Sequence, residues 1–225
     1  MSFRVNLIWA MGLWLLAAAA WAQQAAPGVS AYEVVQNTTV RVMEVVSAAD
    51  EYVDTDPERY YQKVQDVLDP VIDYRGFARS VMGAYATSER YRSLDKDGRG
   101  QLKSQLDRFT EVMRLGLVRT YSKGLLAFGG SRIEVVQPAT DAAQESRVSV
   151  QQLIYNEQAT PYVVMYQMGL SKSDGWKLRN VIIESVNLGE IYRNQFQAAA
   201  RKHDGDLDSV IDNWTSEEVK VAVKS

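Results

Sequence analysis

Apolar positions along the chain repeat first at the spacing of a helix, then at the spacing of a strand. Leu102, Leu106, Phe109, Met113, Leu117, Tyr121 and Leu125 follow one another three or four residues apart. That spacing predicts one long amphipathic helix, ended by Gly129-Gly130. Shorter helices are announced before it. Ser30-Ala-Tyr-Glu33 has the form of a capping box and precedes a face of Val34, Val35, Val42, Val45 and Val46. Asp56-Pro57 is a cap followed by proline, ahead of Tyr60, Tyr61, Val64, Val67 and Leu68, with Pro70 as the stop. A short segment from Asp73 to Met82 carries Phe77, Val81 and Met82 and is closed by Gly83.

Beyond the long helix the period becomes two. Ile133 and Val135, then Val148 and Val150, then Tyr162, Val164, Tyr166 and Met168 alternate with more polar neighbours. Turn chemistry bounds these runs at Pro138 to Asp141, Asn156 to Pro161 and Ser171 to Gly175. A hairpin at Ser173-Asp174-Gly175 leads into a last strand, Trp176 to Val186. Asn187-Leu-Gly-Glu190 predicts a capped helix burying Ile191, Tyr192, Phe196 and Ala199. A final helix follows around Leu207, Val210, Ile211 and Trp214. Helices, then an antiparallel meander, then helices predict an α+β fold: one curved sheet with helices packed on it.

Composition adds the compartment. The 225 residues are 46% hydrophobic and 24% charged, the balance of a globular protein. The formal charge is -3 and the basic residues are scattered, which argues against nucleic acid as a partner. Arg4, the apolar run Val5 to Ala20 and then Ala20-Trp21-Ala22 form a signal peptide over residues 1–22, with cleavage after Ala22. The alternative is a membrane anchor, for which the run is short beside the roughly 20 residues of a spanning helix. Loss of Arg4 takes the formal charge from -3 to -4. The mature chain, 23–225, is expected as one exported, soluble domain in the periplasm. With no cysteine, packing alone must hold it.

Catalytic constellations are sparse. His203 is the only histidine and stands beside Lys202 and Asp204 at an expected helix end, which suits a solvated residue better than a triad member. No nucleophile elbow, Walker loop or dinucleotide fingerprint occurs. Ser93-Leu-Asp-Lys-Asp-Gly98 resembles the start of a calcium loop, but its first and twelfth positions are Ser93 and Ser104, so a polar turn is the better reading. The carboxylate pairs Asp66/Asp69 and Glu217/Glu218 read as solvated helix faces. Glu184, late in an apolar strand, either faces solvent or pairs with an arginine such as Arg193 or Arg119. What remains is apolar and pliable: Met82, Met113, Met165 and Met168 with Tyr121, Tyr162 and Tyr166. Such residues serve a core, and they equally suit a cavity for a greasy ligand with a polar head.

Several blocks carry a resemblance. They are Phe77 to Gly83, Phe109 through Arg119-Thr-Tyr-Ser-Lys-Gly-Leu125, Gly175 to Leu188 with Tyr192-Arg193-Asn-Gln-Phe196, and Asp206 to Trp214. Over roughly residues 30 to 215 the chain resembles the MlaC, or toluene-tolerance, family of periplasmic phospholipid carriers. It departs where the family often has Glu-Gly-Val-Ser and this chain has Glu184-Ser-Val-Asn187, and where an aspartate common in the penultimate strand is replaced near Met165.

The resemblance implies a sheet of the nuclear-transport-factor-like type, antiparallel or mixed, with helices closing over one face. The helical lobe would span about 30–130, the sheet about 131–187 and the C-terminal helices about 188–215. It implies phospholipid as cargo with no cofactor, and as partners the outer-membrane lipoprotein MlaA with its porin and the inner-membrane assembly containing MlaD. Matched motif positions place Phe77, Val81, Tyr121, Leu125 and Val186 at the lipid. Periodicity adds Phe109, Met113, Leu117, Val150, Val164, Tyr166 and Ile182. The alternatives are an enzyme of similar fold using a pocket carboxylate as base, and an interaction protein with a solid core.

Overall fold

The computed structural model describes residues 28–138, 145–155 and 160–215. The expected signal peptide with its cut after Ala22, the Glu217/Glu218 pair and most of the turns at 138–141 and 156–161 lie outside the described residues.

Local capping chemistry sets the first helices. Ser30 and Glu33 form the capping box of α1 (Ala31–Ala49), whose Val35, Val42 and Val46 are buried. Asp56 caps α2 (Pro57–Leu68), which buries Tyr60, Val64 and Val67. Asp73 caps α3 (Tyr74–Met82), and Gly83 closes it at φ +56°, a conformation that costs a glycine little. A 3-10 turn, Gly83–Ala86, and the short α4 (Ser88–Ser93) lack an apolar stripe and were not evident from periodicity. They lead into α5 (Lys96–Leu126). Asp95, one of the calcium-like positions of the sequence, caps α5 by accepting from the Gly98 N–H at 2.8 Å. Asp69 is not a solvated carboxylate. It accepts from Arg114 of α5 at 2.5 and 3.0 Å and ties α2 to the long helix.

The sheet is an antiparallel meander in the order β1 (Arg132–Val136), β2 (Arg147–Tyr155), β3 (Tyr162–Ser171), β4 (Gly175–Ile183) and β5 (Val186–Asn187). Helices α6 (Leu188–Lys202) and α7 (Leu207–Asp212) follow. The expected last strand, Trp176 to Val186, is in fact two. β4 stops at Ile183, and Glu184 and Ser185 turn the chain with φ of 48° and 72°. Positive φ at both central residues suits a two-residue hairpin, and β5 folds back with Ile183 opposite Val186. The sequence hides this turn because neither residue is glycine and apolar groups flank it on both sides.

Residues paired directly across a sheet share a face. Val150 lies opposite Tyr166, and Tyr166 opposite Val181; Gln152 lies opposite Val164, and Val164 opposite Ile183. These residues therefore form one face. Ile182 pairs with Met165 and points to the other. The expectation that grouped Ile182 with Val150, Val164 and Tyr166 is corrected by one residue of register.

Three packed regions make the core. Helices α3, α5, α6 and α7 meet around Phe109, Phe196 and Tyr192. Helices α1 and α2 close on Val118 of α5 around Tyr60 and Val64. Ala31 and Val35 of α1 pack on Val150 and Met168 of the sheet.

Candidate functional site

The apolar stripe of α5 changes character along its length. Leu102, Leu106, Phe109 and Met113 are buried, whereas Leu117, Tyr121 and Leu125 are only half-buried. The second half of α5 turns Val118 and Ser122 inward toward α2, where Tyr60 donates its hydroxyl proton to the Ser122 carbonyl at 2.8 Å. Helix α5 leans on α2, α3 and α7 rather than on the sheet.

The sheet shows the complementary feature. β4 pairs with β3 along its length, but β5 covers only Ile182 and Ile183 on its other side, and Trp176 to Ile183 are all half-buried. Only at Ile182 and Ile183 does β4 have a strand on both sides, and there too the side chains stay partly open. Here Val181 and Ile183 of β4, with Val186 of β5, pack against the helical cluster containing Leu117 and Tyr121 while staying partly open. The candidate site is this apolar strip between α5 and the β4–β5 hairpin. No side chain named on it is a carboxylate, imidazole or thiol.

Polar groups edge the strip. The hydroxyls of Tyr121 and Tyr192 are 3.2 Å apart. On the sheet side Tyr166 donates to Gln152 at 2.8 Å, and Gln152 donates to Thr39 of α1 at 2.7 Å. Thr39 in turn donates to the Val35 carbonyl. Gln152 is 3% exposed, so both ends of its amide are satisfied within the protein. Desolvation pushes the Tyr166 phenol well above its ordinary pKa, which marks a region of low polarity around its hydroxyl. Among the described residues no cluster of histidine, cysteine, aspartate and glutamate has the makings of a metal site.

The twelve residues expected at the lipid do not all converge. Phe77, Val81, Phe109, Met113, Leu117, Tyr121 and Val186 share one cluster. Within it Phe109 and Met113 are fully buried, and the Phe109 ring packs 4.9 Å from Phe196 and 5.1 Å from Trp214. They are core beneath the strip. Leu125 belongs to the region between α1 and α2. Val150 and Tyr166 pack with α1. Val164 is buried on the same sheet face, opposite Ile183, and Ile182 is on the reverse face. Val181 and Ile183, which also pack half-buried on this cluster, were not among the residues expected at the lipid. The run Val181-Ile182-Ile183 is apolar at every position, so alternation assigns no face; the pairing of β4 with β3 supplies the missing signal.

Glu184 faces neither arginine proposed for it. Its Oε1 accepts from the Val163 N–H at 2.5 Å, while Arg193 is held by Ser80 and Arg119 by Glu58.

Comparison with known proteins agrees with this architecture. The MlaC protein family matches residues 36–216. The toluene tolerance protein ttg2D of Pseudomonas putida is 30% identical over 189 residues, which cover 84% of this chain and 81% of that protein. A phospholipid-binding protein of Ralstonia solanacearum, solved in complex with a phospholipid, superposes with a TM-score of 0.66 at 20% identity. The match covers 81% of this chain and 93% of that one, and it shows the shared fold. The family match spans most of the chain, from the first helix to the last, and the chain belongs to the MlaC family.

Proposed function

We propose that this protein is a periplasmic phospholipid carrier that takes lipid acyl chains between α5 and the β4–β5 hairpin. One observation carries the placement: Leu117, Tyr121, Val181, Ile183 and Val186 all pack on one buried cluster and are only half-buried, in a chain of the MlaC family. An acyl chain gains about 0.8 kcal/mol per CH₂ on leaving water. A two-chain lipid therefore needs on the order of 20 kcal/mol of shelter, summed at that rate, which a shallow surface patch does not supply. Partial burial is the state expected of a lining that opens for cargo and closes when empty.

The protein acts without catalysis, with phospholipid as cargo and no cofactor. In support, the strip offers no base, and Glu184, the nearest carboxylate in sequence, is engaged by the Val163 backbone. The leader, residues 1–22, directs export and is removed after Ala22, leaving one lipid-binding domain. Lipid passes between the outer-membrane lipoprotein MlaA with its porin and the inner-membrane assembly containing MlaD, in keeping with family membership. The test is to purify the mature chain, extract it with organic solvent and weigh the extract by mass spectrometry. Phospholipid should be recovered in a fixed ratio to protein. Absence of phospholipid together with no uptake from labelled vesicles would sink the proposal.

A further inference from the structure

Behind the sheet lies a second feature that the apolar strip does not use. A polar cleft of about 700 Å³ opens between the sheet, α3 and the start of α6. Ser149, Gln167 and Asn180 form its sheet wall. Gln167 and Asn180 are paired across the sheet on the face opposite Tyr166 and Val181. The cleft and the apolar strip thus draw on opposite faces of the same strands.

Its charged lining is built from several separate elements. A β-bulge places Asn180 opposite Gln167 and Leu178 opposite Met168, leaving Arg179 as the extra residue. Arg179 lies across Gly169 of β3, where any larger residue would overlap its guanidinium. Its Nε is buried without a hydrogen-bond partner, 3.5 Å from the Asp73 carboxylate. Arg193 of α6 is clamped by Ser80, donating to its carbonyl at 2.9 Å and its hydroxyl at 2.8 Å. Arg147 lines the third side and has no partner among the described residues.

Carboxylates line the same cleft. They are Asp73, Glu145 and Glu190. Asp73 is engaged as the cap of α3 and beside Arg179. Glu190 has no cation within 4.0 Å among the described residues, although Arg193 stands one turn along the same helix. The formal charges of the lining cancel, so no net field draws in a simple anion. Opposite charges held apart across one cleft are complementary to a ligand that carries both signs. Guanidinium groups match the geometry of phosphate oxygens, and a carboxylate matches an ammonium.

We propose that this cleft binds a small zwitterion joining a phosphate-type oxyanion to a primary ammonium. The oxyanion meets Arg147, Arg179 and Arg193, and the ammonium meets Glu190. Such a group exists both as a free phospho-amine and as the head group of a lipid. The inference stands apart from the cargo reading, because the cleft is built whether or not the strip holds acyl chains.

The test is an NMR titration of the mature chain with O-phosphoethanolamine and with inorganic phosphate, each on lipid-stripped and lipid-loaded protein. Saturable shifts are expected at the amides of Ser149, Gly189 and Arg193. Phosphoethanolamine should bind about tenfold more tightly than phosphate, the worth of one charge-assisted hydrogen bond. Arg147→Gln should weaken both probes about tenfold, and Glu190→Gln should weaken phosphoethanolamine alone. Both residues are exposed and lack side-chain partners among the described residues, so thermal melts of the variants should match the parent. No saturable shift with either probe, or equal affinity for the two, overturns the proposal. Equal binding to stripped and loaded protein assigns the site to a free phospho-amine. Binding that disappears on loading assigns it to the head group of the cargo.

Discussion

Glu184 and Val163 are joined twice. The Glu184 backbone N–H donates to the Val163 carbonyl at 3.0 Å, and the Glu184 side chain accepts the Val163 N–H at 2.5 Å. A side chain thereby completes the sheet ladder at the point where β4 turns away. Removing that acceptor leaves a part-buried N–H without its partner, which costs about 1–3 kcal/mol. Glu184→Ala should lower stability by that amount in urea unfolding. Glu184→Gln keeps an acceptor oxygen and should lose less than half as much. Equal losses for the two variants would show that the bond contributes nothing.

Ser185 sits at φ 72°, where a side chain is disfavoured and glycine is not. Ser185→Gly should therefore stabilise the chain by about 0.5–1 kcal/mol despite the added freedom of the unfolded state. Ser185→Val should destabilise by more than 1 kcal/mol, as a β-branched residue resists this conformation, on the order of a strained φ/ψ outlier. The midpoint of urea unfolding for the two variants, moving in opposite directions, checks the argument.

The turn also explains what sequence reading reaches and what it does not. Ser30, Asp56 and Asn187 each cap the helix that local pattern assigns to them, because capping is decided within a few residues. The long stripe likewise gives α5. Facing is a different matter. Ile182 and Ile183 are chemically identical neighbours, and only pairing with Met165 and Val164 separates their faces. Leu117 and Phe109 belong to one stripe, yet the first is half-buried and the second sealed under Trp214. That difference depends on where α2 and α3 hold α5, which no local spacing encodes.

Alkaline unfolding provides a third test. Tyr60 is fully enclosed and its hydroxyl donates to the Ser122 carbonyl. Burial, with Tyr52 and Tyr61 adding to it, pushes its pKa up to about 12 from 10.0. The unfolded chain then releases this proton before the folded chain does, so stability falls as pH rises. The contribution is whole below the unfolded value near 10 and is lost through the folded value near 12. Urea midpoints should fall across that window. Tyr60→Phe should flatten the fall while starting from lower stability at neutral pH, since the Ser122 carbonyl loses its donor. A slope unchanged by Tyr60→Phe would assign the alkaline loss to other tyrosines.

The sharpest test of the lipid strip compares two adjacent residues. Ile183 lies opposite Val164 and packs on the same helical cluster as Leu117 and Tyr121, whereas Ile182 lies opposite Met165 on the reverse face. Both are half-buried isoleucines in one strand, so intrinsic strand preference and lost apolar area are closely matched. Ile183→Ser removes several methyl and methylene groups from the strip, each worth about 0.8 kcal/mol to an apolar contact. It also introduces a hydroxyl where acyl chains are to lie. Phospholipid recovered with Ile183→Ser should fall at least about tenfold, or exchange to vesicles should accelerate by as much, the equivalent of about 1.4 kcal/mol of differential binding. Ile182→Ser should retain cargo near the parent level at comparable thermal stability. If the two variants lose lipid equally, acyl chains are not held between α5 and the β4–β5 hairpin. If Ile182→Ser alone loses it, the cargo lies on the face of the sheet that carries the polar cleft.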